Sequence, residues 1–331
     1  MSQAEPGEFD FLDSDAALVG ATEIPPVRRV EPTDGVSALA WGTGPAGVVL
    51  AHGAALNAHT WDSTLLAWSA ALNHGDRYFG SPAALNHGDR YFGSPAALNH
   101  GDRYFGSPGA GFLALDLPGH GDSGWREDGD YAPERIAPAV ADALTAALDT
   151  GLLAPDFALV GQSLGGLVGL ELLRAGRAEF SRLVLVDVLP LKPEAATMVA
   201  SFLDGPTSFG SREEIVERAK AFGLGGASVE RGVFLNTRIA NDGRVVWKHH
   251  LGALGPQALQ HLTTEHLWEV IETSETPIDL VAATLSLVDD AAWNRFTTAR
   301  PDATAVRLSG SHNLQETSPV ELAATLRMIL G

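Results

Sequence analysis

The chain contains no cysteine in its 331 residues. That absence removes disulfides, thiolate nucleophiles, iron–sulfur clusters and cysteine-based zinc sites together. It fits a reducing compartment, and a cytoplasmic location is the expectation. Positive charge is scarce too: 22 Lys and Arg stand against 41 Asp and Glu, a formal net charge of −19. A surface of that sign repels phosphate backbones and anionic headgroups, so neither nucleic acid nor membrane is expected as a partner. No uninterrupted apolar run is long enough to span a bilayer. The acidic opening MSQAEPGEFDFLDSD lacks the basic-then-apolar order of a secretion signal.

Apolar residues, at 45%, are plentiful enough for a packed core. After an acidic leader (1–25), the runs VRRVEP, VSALAW and GVVLAHG read as short strands punctuated by Gly and Pro. TWDSTLLAWSAAL has helical spacing. Further on, GFLALDLPGHG, FALVGQ, RLVLVDVLP, PIDLVAATL and ATAVRLSG read as strands, with ERIAPAVADALTAAL and SPVELAATLRMIL as helices. Near-continuous apolar strands alternating with helices predict an α/β fold with a mostly parallel sheet covered on both faces. The core is expected over 26–189 and 277–331. The alternation breaks over 190–276, which reads as an inserted, mainly helical cap. Within it, TRIANDGRVVW should turn as a hairpin at Asn241–Gly243, and Ser211 with Glu214 should open the helix SREEIVERAKAF as a capping box.

The strongest chemical signal is Gly161-Gln162-Ser163-Leu164-Gly165, a G-x-S-x-G motif between a strand and a helix. A strand that turns sharply into a helix strains the central residue to positive φ and lifts its hydroxyl above the sheet edge. Gly161 and Gly165 leave room where strand and helix approach. Ser163 is therefore the candidate nucleophile; the competing reading is a glycine-rich turn with a surface serine. A tetrahedral intermediate needs two backbone N–H donors. Leu164 can supply one, and Ala54, in the loop His52-Gly53-Ala54-Ala55 after the third strand, is the candidate for the other. His52 itself reads as a residue that shapes this loop.

With AHGAA, DLPGHGDS, VGQSLGG and SGSHN in that order, the chain resembles the α/β-hydrolase superfamily over roughly residues 26–331. The resemblance implies the α/β-hydrolase fold and a serine hydrolase of esterase type. In it, His312 of SGSHN stands where the family keeps its general base. His120 and Asp122 of DLPGHGDS belong to a tight turn and read as structural. The acid is less plain. Many relatives carry it after the seventh strand, where this chain has VAATLSL, with no carboxylate. Asp187, ending the apolar run RLVLVDVLP, is favoured, because a carboxylate there needs a partner and His312 would be one. Some esterases of this fold resemble that arrangement. Asp289 and Asp290 are the alternative acids, though they could equally cap the helix that follows.

The expected activity is cleavage of small-to-medium apolar carboxylic esters through an acyl-enzyme. C–C bond hydrolysis, lactone hydrolysis and non-catalytic ligand binding on the same scaffold are the alternatives. Trp247, Trp268, Phe202, Phe222 and Phe234 should populate the cap, with one or two lining an acyl pocket. His249 and His250, on a strand, would face opposite sides. No metal and no organic cofactor is expected.

One stretch remains. AALNHGDRYFGSP is written three times without a change from Ala70 to Pro108. It lies between the first core helix and the fourth strand, a connection that right-handed crossovers place on the side of the sheet away from strand C-termini. The repeat is thus expected to be a duplicated loop with no catalytic part, acting on stability or on self-association into a homo-oligomer. A shared metal among His74, His87 and His100 is not expected.

Overall fold

A computed structural model describes residues 6–74, 111–190, 205–221, 229–254 and 264–331. The second and third copies of the repeat, the first from residue 75 onward, Phe202 and Phe222 lie outside the described residues.

Eleven strands are present among the described residues: β1 Val27–Thr33, β2 Val36–Trp41, β3 Ala46–Ala51, β4 Gly111–Leu115, β5 Leu153–Gln162, β6 Arg182–Val186, β7 Ser208–Phe209, β8 Thr237–Ile239, β9 Val245–Trp247, β10 Ile278–Leu285 and β11 Ala305–Ser311. Eight form one sheet in the order β1-β2-β4-β3-β5-β6-β10-β11. β1 and β4 each pair antiparallel with β2, while every other neighbour is parallel. This is the α/β architecture expected from the alternation of strands and helices.

The apolar runs are continuous because both faces of the sheet are covered, and successive side chains leave on opposite sides. Val49, Leu113, Leu159, Leu183, Leu185 and Leu280 meet the helices α3 (Pro133–Asp149) and α4 (Leu164–Arg174) on one face. Val48, Leu50, Ala114, Val160, Val184 and Val281 meet α2 (Asp62–His74) and the closing helix Pro319–Leu330 on the other. After α2 the chain re-enters the sheet at Gly111, opposite Ala46 at the start of β3. That re-entry lies at the end of the sheet away from Ser163.

Two features differ from the sequence expectation. The acidic leader, for which the sequence suggests no element, holds the helix α1 (Leu12–Val19), and Leu12 and Ala16 complete the α2 side of the core. The span read as a mainly helical cap also holds a three-stranded antiparallel sheet, β7-β9-β8. Phe209, Ile215, Val216, Val233 and Val245 form a small core of its own there. The hairpin between β8 and β9 turns where expected, with Gly243 at φ 80°. Ser211 Oγ accepts from Glu214 N–H at 3.4 Å ahead of the helix Arg212–Ala221.

The leader and this span are joined. Arg231, in the helix Val229–Asn236, donates to Asp15 of α1 at 2.6 Å and to Asp62 of α2 at 2.7 Å. Phe11 packs on Phe234 at 5.2 Å between ring centres, and the Arg212 guanidinium covers the same ring. Nearby, burial works against a charge on His59, but contact with Asp62 and Glu8 outweighs it and raises the imidazole to about 9.

Candidate active site

Ser163 sits between β5 and α4 at φ 50° and ψ −117°. Local packing enforces that geometry: a Cβ on Gly165 would run into the Ala51 carbonyl of β3. Only three non-glycine residues among those described have positive φ, namely Ala55 (64°), Ser163 and Asp187 (51°). All three end or follow the central strands β3, β5 and β6 on one side of the sheet. Such strain persists where surrounding packing over-determines it, and it clusters at functional sites.

His312 follows β11, and its Nδ1 lies 2.7 Å from Asp187 Oδ2. The Asp187 carboxylate is fully buried, and its other oxygen accepts from Ala283 N–H at 2.7 Å and from the Ser286 hydroxyl at 2.5 Å. These contacts provide the partners a buried carboxylate requires. With Nδ1–H donating to Asp187, His312 keeps the lone pair on Nε2. The two other candidate acids are placed differently. Asp289 caps the helix Asp290–Ala299 by accepting from Ala292 N–H at 2.7 Å, and the exposed Asp290 pairs with Arg307. Ser286 is a residue that sequence reasoning passed over. It stands in the stretch searched for an acid, and no pattern marks a hydroxyl that serves a carboxylate on another strand.

Leu164 opens α4, so its N–H has no partner within that helix. The loop carrying Ala54 closes on Ser163: a Cβ on Gly53 would come within 3.1 Å of Ser163 Cβ. His52 fixes this loop. Its Nδ1–H donates to Gly53 O at 2.7 Å, its Nε2 accepts from Leu117 N–H at 3.0 Å, and its carbonyl accepts from Gly165 N–H at 3.0 Å. Both ring nitrogens are engaged, so neither is left to act as a base. In the DLPGHGDS turn, fully buried Asp116 accepts from Arg29, Ala58 N–H and Asp122 N–H. Asp122 is held by Arg29 and Lys248, and His120 donates from Nδ1 to Pro118 O.

His249 and His250 lie just after β9 and diverge. The first stacks beside Trp247 and His120; the second stacks on Trp125. Trp268 corrects an expectation: although it lies in the inserted span, it packs with the main core on the α3 and α4 side and not with the span's own small core. Trp247 packs edge-on against Phe209. Among the described residues no three His, Asp or Glu side chains converge as a metal site, and no helix is long and apolar enough to cross a membrane.

Burial and mutual repulsion lower three of these imidazoles from 6.5: His52 to about 4, His120 and His249 each to about 3. The unfolded chain binds their protons near pH 6.5, whereas the fold refuses them until far lower pH. Their contribution to stability is therefore complete above pH 6.5 and is lost as pH falls towards 4 and then 3. His59 has the opposite sign, contributing most below 6.5 and losing that contribution as pH rises through 9. These three shifts predict a lower urea midpoint at about pH 4.5 than at about pH 7.5, against the opposing contributions of His59 and of the raised carboxyls of Asp15 and Glu316. Equal midpoints would contradict this.

A match to the alpha/beta hydrolase family runs over residues 48–325. The chain is 30% identical to esterase Rv0045c of Mycobacterium tuberculosis across 98% of this chain and 95% of that protein. A structure of the M. tuberculosis esterase superposes with a TM-score of 0.74 at 27% identity, covering 99% of both chains. The fold is shared more distantly with E-2-(acetamidomethylene)succinate hydrolase, with a TM-score of 0.65 at 18% identity over 92% of this chain and 99% of that one.

Proposed function

Since the chain belongs to the alpha/beta hydrolase family and is a carboxylic ester hydrolase, we propose that it works through Ser163, His312 and Asp187 by way of an acyl-enzyme. The observation that carries this reading is the 2.7 Å contact between His312 Nδ1 and the buried Asp187 carboxylate, beside a serine held at positive φ. Ser163 Oγ attacks the ester carbonyl while His312 Nε2 takes its proton. The oxyanion is received by the N–H groups of Ala54 and Leu164. Collapse expels the alcohol, which takes the proton back from His312. Water, deprotonated by the same imidazole, then attacks the acyl group and releases the acid and Ser163. Asp187 holds the ring in the tautomer each step needs and stabilises the imidazolium. The span 190–276 acts as a cap over this site, a reading supported by its separate small core and its insertion between β6 and β10. The substrates are small-to-medium apolar acyl esters.

A fluorophosphonate probe tests the proposal. It is expected to add one covalent label, recovered by peptide mapping on Ser163, with parallel loss of p-nitrophenyl butyrate hydrolysis. An unlabelled, active wild-type protein would overturn the mechanism.

A further inference from the structure

His312 comes from a strand three places away from the nucleophile's strand in the order β5-β6-β10-β11. At about 4.8 Å per strand, that is about 14 Å across the sheet. The loop after β11 must reach back over the strand ends to bring the ring to Asp187. Hydrogen bonding within the sheet does not fix that reach.

Gln162, the last residue of β5, holds the main chain of this loop. Its fully buried Nε2 donates to the His312 carbonyl at 3.1 Å and to Asn313 Oδ1 at 3.4 Å. The amide orientation is settled chemically: a carbonyl oxygen only accepts, so reversing the group would set two acceptors against each other. The orientation has a cost. Gln162 Oε1 is buried without a partner, facing Gly53, where a Cβ would collide with it. An orphaned buried acceptor costs about 1–3 kcal/mol, and an apolar side chain of the same length would avoid that cost. The carboxamide is thus wedged between the loop of His312 and the loop of Ala54, on either side of Ser163.

We propose that Gln162 is a positioning residue for ester hydrolysis, setting His312 against Ser163 through the base's own main chain. The inference rests on the triad reading above. Asp187 orients the ring; Gln162 locates the loop that carries it. Displacing a reacting group by about 1 Å can cost about 100-fold in rate.

The test compares Gln162→Met, which keeps length and removes the donors, with Gln162→Glu, which keeps shape and turns an acceptor towards His312 O. Both are expected to lower kcat for p-nitrophenyl acetate about 10- to 100-fold with KM within about twofold. The thermal midpoint of Gln162→Met should stay close to that of wild type, since loss of the orphaned oxygen offsets loss of the two donated hydrogen bonds. The decisive arm repeats Gln162→Met in a His312→Ala background. A residue acting through His312 has nothing left to position there, so the further loss should be under about twofold. Full kcat in Gln162→Met, or the same fold-loss with and without His312, overturns the inference while leaving the triad intact. A wild type that the fluorophosphonate does not label overturns the triad reading instead.

Discussion

Ser163→Ala is expected to lower kcat on p-nitrophenyl esters by about 10⁴- to 10⁶-fold and to abolish fluorophosphonate labelling. The side chain is small and Ala tolerates the turn about as well as Ser, so the fold should persist and the loss should fall on chemistry. The φ of 50° is imposed by strand–helix packing around Gly165 and not by the hydroxyl. Residual turnover should reflect what the two N–H donors and substrate binding still supply. Steady-state kinetics with circular dichroism on the same sample checks both halves. Retained turnover at even a tenth of the wild-type rate would reject Ser163 as the nucleophile.

Asp187→Asn should cost about 10³- to 10⁴-fold in kcat for a different reason. Ala283 N–H and the Ser286 hydroxyl both donate to one carboxylate oxygen. In the variant those donors hold the amide oxygen, which leaves the NH2 group facing His312. The ring must then accept at Nδ1 and carry its proton on Nε2, where it can no longer take one from Ser163. The geometry is nearly conserved while the tautomer is wrong. Asp289→Asn, by contrast, keeps a competent helix cap, and Asp290→Asn alters only an exposed ion pair. Both should turn over at rates within about twofold of wild type. Full activity in Asp187→Asn, with loss in either of the others, would move the acid.

The parts of this picture that were legible in the sequence are the local ones. Paired-face strands announce themselves as apolar runs, and the Gly-x-Ser-x-Gly turn follows from sterics within five residues. The proposed acid is not local. Three aspartates met the chemical requirement, and the choice among them depends on which strand end the loop after β11 reaches. Helix α1 escaped because only Leu12, Ala16 and Val19 on it pack apolar against the core, and its buried Asp15 is matched by Arg231, far along the chain. Trp268 was misplaced because an aromatic residue late in an insertion carries no mark of which layer it joins. Gln162 was visible as a letter inside the motif, but its partners belong to a loop 150 residues away.

The antiparallel β2 has a consequence for how this chain can be cut. The family match begins inside β3, so a fragment trimmed to residue 48 would lack both β1 and β2. β4 would then lose the partners it has from Ala38 to Trp41. Its sequence, GFLAL, is uncharged and wholly buried in the intact sheet. Bared, it would offer a row of unpaired N–H and C=O groups to any similar strand, the condition under which sheet proteins polymerise edge to edge. In the full chain β2 guards that edge, and the sheet ends on that side at β1, whose Arg28, Arg29, Glu31 and Pro32 are poor company for a second sheet.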